Sequence, residues 1–143
     1  MHEKLITGLE WDYFTKLLCC LFAGLSIGSE RESRGKAAGI STHSFVIAGS
    51  MTFTTLSFYM DPSSPARIAA QVVSGIGFLG AGIILKRQEG RIVNLTTAAS
   101  IWFSSGIGMM IGFHWFIASL LAVIFAVIVF KIPTMPVKDP NKE

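Results

Sequence analysis

The stretch AASIWFSSGIGMMIGFHWFIASLLAVIFAVIVF, residues 98–130, decides the fold because its 33 residues include no Asp, Glu, Lys or Arg. At a helical rise of about 1.5 Å per residue it would be about 50 Å long, far more than the roughly 30 Å of one bilayer crossing. Gly112 and His114 interrupt it near its middle. The stretch therefore predicts two membrane helices joined by a turn, over residues 97–112 and 114–131.

Three further apolar segments precede this stretch and predict helices over residues 11–29, 43–60 and 65–85. Hydrophobic residues make up 51% of the 143-residue chain and charged residues only 15%, and the mean hydropathy is +0.56. Soluble proteins carry about 25% charged residues. We therefore expect an all-α integral membrane protein with about five transmembrane helices in residues 1–132, and a short, flexible tail in residues 133–143.

The positions of Lys and Arg predict the orientation, because short cytoplasmic loops of membrane proteins are enriched in these residues. Nine basic residues follow the first, third and fifth predicted helices: Arg31, Arg34, Lys36, Lys86, Arg87, Arg91, Lys131, Lys138 and Lys142. Only two or three basic residues lie on the opposite side of the predicted membrane. We therefore expect an amino end outside and a cytosolic carboxyl end. The basic residues form no face with an aromatic platform, so a nucleic-acid partner is not expected.

Polar side chains recur at helical spacing inside the apolar segments. On the second predicted helix they are His43, Ser50, Thr54 and Ser57, followed by Asp61. The third helix carries Arg67 and Gln71, and the fourth carries Thr97, Ser100 and Ser104. Two interpretations stay open: a polar cavity or ion path between these helices, or interhelical hydrogen bonds with close packing. Gln71 favours the first, because an amide inside a membrane helix needs partners.

Glycines form a second pattern, and we expect them to permit close helix packing. They are Gly24, Gly28, Gly75, Gly77, Gly80, Gly82, Gly108 and Gly112. Residues 75–80 match the letters of a G-x-G-x-x-G dinucleotide fingerprint. That motif follows a strand and opens a helix, whereas these glycines lie in the middle of an apolar helix, so nucleotide binding is excluded.

Charged and metal-binding chemistry leaves little trace in the sequence. The run Glu30-Arg31-Glu32 is either a solvated helix end with local ion pairs or a contact with another segment. His43 lacks a second His or Cys at ligand spacing, so a transition-metal site has no support. Asp61 would suit Mg²⁺, yet no ligand set for that ion can be assigned. Without a nucleophile–base pair or a metal dyad, we expect no enzymatic activity and no cofactor.

Three stretches resemble the MgtC/SapB family of bacterial inner-membrane proteins. They are GLSIGSERESRGKAAGISTH (24–43), DPSSPARIAAQVVSGIGFLGAGIIL (61–85) and NLTTAASIW (94–102). The second is similar to the family's core motif almost residue for residue. Ser41 and Asn94 depart from the pattern, which usually has Arg and Gly there. The sequence ends soon after the fifth predicted helix, so it resembles the short SapB-like form without the carboxyl-terminal ACT-like domain.

The resemblance implies a multi-pass protein of the bacterial cytoplasmic membrane that serves adaptation to low Mg²⁺ or acid stress. In the MgtC branch it also implies a virulence-associated regulator that restrains the F-type ATP synthase. The functional residues expected from it are Glu30, Arg31, Glu32, His43, Asp61, Arg67, Gln71, Thr96 and Thr97. Arg67 would position the outer end of the third helix against Asp61, and Gln71 would bond to the polar face of the second helix.

These observations lead to a functional prediction with one alternative. We expect a non-enzymatic protein that acts through contacts in the bilayer, in a homo-oligomer or with another membrane protein. The alternative is a small transporter or channel for Mg²⁺ or protons, lined by the polar residues of the second, third and fourth helices.

Overall fold

The computed structural model describes residues 8–60, 62–64, 66–84 and 94–133, and within these residues it contains helices and turns but no strand. Its helices are α1 (Leu9–Ser33), α2 (Ile40–Met60), α3 (Ala66–Ile84), α4 (Leu95–Gly112) and α5 (Phe116–Lys131). The predicted all-α fold with five helices is confirmed. Helix α1 continues one turn beyond its expected end, and α2 begins three residues before its expected start.

A Schellman motif ends α1 and turns the chain toward α2. The backbone N–H of Gly35 donates to the carbonyl of Glu32 at 2.9 Å, and that of Lys36 donates to the carbonyl of Arg31 at 3.1 Å. Gly35 has a φ of 61°, a left-handed conformation that glycine adopts without steric cost. This compact turn sets α2 directly beside the end of α1.

Close contacts define the directions of the three central helices. Gly24 of α1 lies against Ser44 of α2, and Gly28 lies against Ile40, so the two helices are antiparallel. Near the start of α1, the hydroxyl oxygen of Tyr13 lies 2.8 Å from that of Thr52 near the end of α2. These pairs run in opposite directions along the two helices and keep α1 and α2 in contact over most of their length.

Helices α2 and α4 run parallel to each other. His43 is paired with Ser104 near the start of α2, and near its end Thr54 lies against Gly112. The buried core lies between these two helices and α1, and α5 contributes residues to it from one side. Its buried hydrophobic members are Cys20, Ala23, Ile27, Ile47, Met51, Ile107, Ile111, Val123 and Ala126.

The outside of the bundle is strongly apolar. Phe45, Phe78 and Ile117 are each about four-fifths exposed. Helices α3 and α4 are long and apolar enough to cross a bilayer, and α5 is apolar over 16 residues. Large exposed apolar side chains on every side are the surface that a bilayer requires and that water disfavours.

Candidate functional site

A cluster of polar side chains lies buried where α1 ends, α4 begins and α5 ends. At its centre is Arg31, which is only 3% exposed. Its guanidinium donates a hydrogen bond to the hydroxyl of Thr97, and its central carbon lies 4.9 Å from the ring centroid of Phe130. The arginine therefore joins three helices through one hydrogen bond and one cation–π contact.

His43 forms the second half of this cluster. It is fully buried, and its Nδ1 lies 2.8 Å from the hydroxyl oxygen of Ser104. Ser104 is two helical turns beyond Thr97 on the same face of α4, so α4 offers one hydroxyl to α1 and another to α2. We call the set Arg31, Thr97, Phe130, His43 and Ser104 the buried cluster.

One nitrogen of the buried cluster lacks a partner. Arg31 Nε is inaccessible to solvent and forms no hydrogen bond with any described residue. Buried polar atoms are nearly always hydrogen-bonded, and an unsatisfied one costs about 1–3 kcal/mol. The buried cluster therefore carries this cost at Arg31.

The neighbouring acids of the first loop act locally. Glu32 accepts a hydrogen bond at 2.9 Å from the backbone N–H of Ile40, the first residue of α2. A carboxylate at that position also interacts favourably with the positive end of the α2 helix dipole. Glu30 accepts one at 2.6 Å from Nε of Arg34, an exposed pair one turn apart. Glu32 therefore fastens α2 to α1, while Glu30 forms a pair at the surface.

The polar stripe of α2 faces α4 across a tight seam. Ser50, Thr54 and Ser57 are buried, and Gly108 and Gly112 meet this face. A Cβ at Gly108 would overlap the backbone of α2, and one at Gly112 would lie 2.7 Å from Thr54. This seam leaves no room for an ion path, so the structure favours the packing interpretation between these two helices.

Open space lies instead between α2 and α3. A groove of about 510 Å³ there is lined by Phe45, Gly49, Ser50, Gln71 and Gly75 together with further apolar residues. Gln71 is exposed on its wall. Gln71 lines the groove opposite α2, and no hydrogen bond between the Gln71 side chain and α2 is present in the described residues.

The predicted packing glycines divide into two groups. Gly24, Gly28, Gly108 and Gly112 lie against backbone or Cβ atoms of a neighbouring helix. On α3, a Cβ at Gly75, Gly77 or Gly82 would meet nothing within 4 Å, and one at Gly80 would just reach Ala98 at 3.9 Å. The glycines of α3 therefore make no close helix contact within the described residues, and Gly75 lines the α2–α3 groove.

The other predicted residues are scattered. Thr96 is exposed beside the buried Thr97, and Arg67 is exposed near the start of α3, where its backbone N–H donates to the carbonyl of Ser64 at 3.1 Å. Asp61 lies outside the described residues, and so does its expected contact with Arg67. No group of three His, Cys, Asp or Glu side chains suited to a metal occurs in the described part of the chain.

Sequence reasoning missed a polar network at the opposite end of the bundle. Lys16 is 1% exposed, and its Nζ lies 2.9 Å from one carboxylate oxygen of Asp12. The other oxygen lies 2.7 Å from Nε2 of His114, in the turn between α4 and α5. The spacing of Asp12 and Lys16, one turn apart in an apolar helix, was the available signal for an ion pair. His114 gave none, because it is distant in sequence.

Comparison with known proteins places this chain in a family. Residues 17–135 match the model of the MgtC family. The chain is 44% identical over 124 residues to "Protein MgtC" of Salmonella typhimurium strain LT2, covering 87% of this chain and 52% of the relative. It is 45% identical over 113 residues to "Putative magnesium transporter YhiD" of Escherichia coli K12, covering 71% and 51%. The chain thus spans about half the length of these curated relatives, and no solved structure matches it.

Proposed function

The chain belongs to the MgtC family, and we propose that it is a five-span protein of the bacterial inner membrane that serves adaptation to low Mg²⁺ or acid stress. In this proposal it acts by contact with other membrane proteins rather than by catalysis. The amino end is outside and the carboxyl end is cytosolic, as the distribution of Lys and Arg predicts. The F-type ATP synthase is the first partner to test.

The observation that carries the contact role is the outward glycine face of α3. Gly75 and Gly82 lie two turns apart on the face of α3 that carries Gln71, and a Cβ at either would meet no atom of the described chain within 4 Å. Only Ala69 and Ile76 of this helix are buried. Small residues on a membrane helix let another helix approach closely, and such packing drives helix association in lipid. A helix that leaves this face bare supports a role in binding a second membrane helix.

Gln71 adds a polar element to the same surface. It is exposed on the wall of the groove between α2 and α3, one turn before Gly75. An amide exposed to lipid is costly, and a hydrogen bond to a partner helix would offset that cost. Close approach at the glycines and a hydrogen bond at Gln71 would together select a partner with a matching polar group.

A transport role is the second candidate, and the same groove is the observation that favours it. Gln71 and Ser50 are its polar residues, and a relative bears the name of a putative magnesium transporter. The remaining walls are mostly apolar, which suits an ion poorly. The alternative therefore requires that the groove be widened and hydrated by a partner or a second conformation.

Two experiments on the full chain separate the candidates. The first replaces Gly82 by Leu, because a Cβ there would meet nothing within 4 Å of the chain itself and the larger side chain would block a partner helix. The matched control is Gly106→Leu on α4, where a Cβ would also meet nothing within 4 Å. We expect Gly82→Leu to abolish cross-linking to the ATP synthase in membranes and growth at low Mg²⁺, while Gly106→Leu keeps both. Equal growth and cross-linking in the two variants would refute the contact surface.

The second experiment measures Mg²⁺ and proton flux into proteoliposomes that contain only this protein. The contact role predicts no flux above that of empty liposomes. Saturable flux that disappears in Gln71→Leu would instead establish the transporter and assign the α2–α3 groove as its path.

A further inference from the structure

The groove between α2 and α3 is the exception among the contacts that α2 makes. On its other sides α2 is held at short range: Gly28 of α1 lies against Ile40, and a Cβ at Gly108 of α4 would overlap the backbone at Ile47. Small residues let membrane helices approach closely in this way, and such packing drives their association. The side of α2 toward α3 instead holds an open groove of about 510 Å³. Helix α2 therefore has closed seams with α1 and α4 and an open one with α3.

The elements of a closed seam are nevertheless present on both walls of this groove. Gly49 of α2 and Gly75 of α3 both line it, and a Cβ at either would meet nothing within 4 Å. Ser50 of α2 and Gln71 of α3 line it as well, and the amide of Gln71 forms no hydrogen bond with any described residue. An amide in lipid is costly until it finds a partner. Each wall thus offers one small residue and one polar residue to the other wall.

Helix α3 is held on one side only. Its buried residues are Ala69 and Ile76, and one turn further on the same face a Cβ at Gly80 would reach Ala98 of α4 at 3.9 Å. This face is therefore turned toward α4, while the side toward α2 is bounded by the groove. Packed helices slide and roll over one another by small distances when their contact lies along one line. The packing of α3 on α4 thus leaves it free to move toward α2.

We propose that α3 is a movable helix with two positions, the open one described above and a closed one in which it packs against α2. In the closed position Gly75 lies against α2 beside Gly49, and the amide of Gln71 donates a hydrogen bond to the hydroxyl of Ser50. The acyl chains that leave the groove on closure are as apolar as its walls, so the hydrophobic effect does not oppose the movement. Close packing of small residues and one hydrogen bond favour it.

Closure conceals the surface assigned to a partner helix, and for this consequence the inference rests on the proposed function. In the closed position Gln71 has a partner within the chain and Gly75 is covered. A second helix then finds neither the polar group nor the small residue that it needs for close approach. The partner therefore binds the open position and shifts the population toward it, by as much as its affinities for the two positions differ.

Disulfide formation across the groove measures closure directly. In the full-length protein with Cys19→Ala and Cys20→Ala, the pair Gly49→Cys and Gly75→Cys is oxidised in vesicles that contain only this protein. A disulfide needs Cβ atoms about 3.5–4.5 Å apart, and the open groove keeps these two positions separated. The matched control combines Gly49→Cys with Gly77→Cys, because Gly77 is equally unobstructed but does not line the groove. We expect an intramolecular disulfide in the first pair and none in the control, and equal rates would overturn the proposal.

Two substitutions test whether the closed seam is the one proposed. Gln71→Leu removes the amide and Ser50→Ala removes the hydroxyl, so each should slow disulfide formation about threefold, the factor that an average hydrogen bond between membrane helices supplies. The double variant should be no slower than either single variant, because both remove the same bond. Ser74→Ala is the control, since Ser74 is exposed and does not line the groove. Rates unchanged by Gln71→Leu and Ser50→Ala would overturn the proposed seam.

Cross-linking to the ATP synthase separates this inference from the proposed function. The protein locked by the disulfide should lose that cross-link, and reduction should restore it. A locked protein that still binds the partner would overturn the regulatory role of closure. If the cysteine-free protein, which cannot be locked, does not bind either, the proposed partner is refuted, while the disulfide in vesicles without any partner still shows that α3 closes.

Discussion

Arg31 in the last turn of α1 donates a hydrogen bond to Thr97 in the first turn of α4, across 66 residues of sequence. Both residues belong to segments that resemble the family motifs, one in the ERE run and one in the LTTAA run. The guanidinium is buried, and the Thr97 hydroxyl accepts a hydrogen bond from it, which explains why a helix ending in this arginine needs a hydroxyl here. The Arg31–Thr97 hydrogen bond therefore joins the two motifs.

The Thr97→Val substitution tests this interaction. Valine keeps the shape of threonine but removes the acceptor, so a buried charged donor loses its partner. We expect a loss of about 1–3 kcal/mol in the free energy of unfolding, measured by denaturant titration in detergent micelles. Thr96→Val is the matched control, because Thr96 is exposed and its change should stay within about 0.5 kcal/mol. Equal losses in the two variants would contradict the assigned role of the Arg31–Thr97 bond.

The seam between α2 and α4 predicts a contrast between two glycines of one helix. A Cβ at Gly108 would overlap the carbonyl of Ile47, whereas one at Gly106 would meet nothing within 4 Å. Gly108→Ala should therefore destabilise the protein by about 1–3 kcal/mol through overpacking. Gly106→Ala should be neutral or stabilising by up to about 1 kcal/mol, because alanine favours the helix.

Thermal unfolding of the two glycine variants by circular dichroism checks this contrast. A Gly108→Ala protein as stable as the Gly106→Ala protein would show that α2 and α4 are further apart than the structure places them, and would reopen the ion-path interpretation of the α2 stripe.

The sequence predicted the fold well because long apolar runs report helices directly. Residues 98–130 could hold two helices and not one, and the break at Gly112 and His114 is where the structure ends α4 and begins α5. Periodicity also predicted that His43 and Thr54 share a face, and both are buried. These features depend on neighbours along one helix, which sequence spacing encodes.

The partners across helices could not be predicted, since spacing along a helix does not say which neighbour a face meets. The ERE run was compatible with a solvated helix end, yet Arg31 is buried against α4 and α5. Similarly, the glycines of α3 and α4 look alike in sequence, but Gly108 and Gly112 of α4 are packed against α2, whereas Gly75, Gly77 and Gly82 of α3 make no close contact. Only the arrangement of helices separates these cases.

We expect Glu32, at the turn between α1 and α2, to contribute measurably to the stability of the protein. Its carboxylate accepts the first backbone N–H of α2. Glu32→Ala should cost about 0.5–2 kcal/mol in the free energy of unfolding, as for the loss of a helix cap. Glu30→Ala is the control, because the surface pair with Arg34 should contribute less than about 1 kcal/mol. Hydrogen exchange should show faster opening of the first turn of α2 in Glu32→Ala alone, and unchanged protection there would refute the capping role.

The ion pair between Asp12 and Lys16 at the other end of the bundle predicts that the free energy of unfolding depends strongly on Asp12. In Asp12→Asn, the ammonium of Lys16 stays buried and loses its countercharge, which should cost up to about 3 kcal/mol of unfolding free energy. His114→Ala removes only the half-exposed partner of Asp12 and should cost less than about 1 kcal/mol.

The double variant Asp12→Asn with Lys16→Met decides whether the uncompensated charge is the cause. Methionine fills most of the space of lysine without a charge, so the double variant should regain most of the stability that Asp12→Asn loses. Denaturant titration of the two single variants and the double variant gives the coupling energy. A double variant no more stable than Asp12→Asn would mean that the carboxylate acts through its contact with the α4–α5 turn, and that Lys16 does not depend on it.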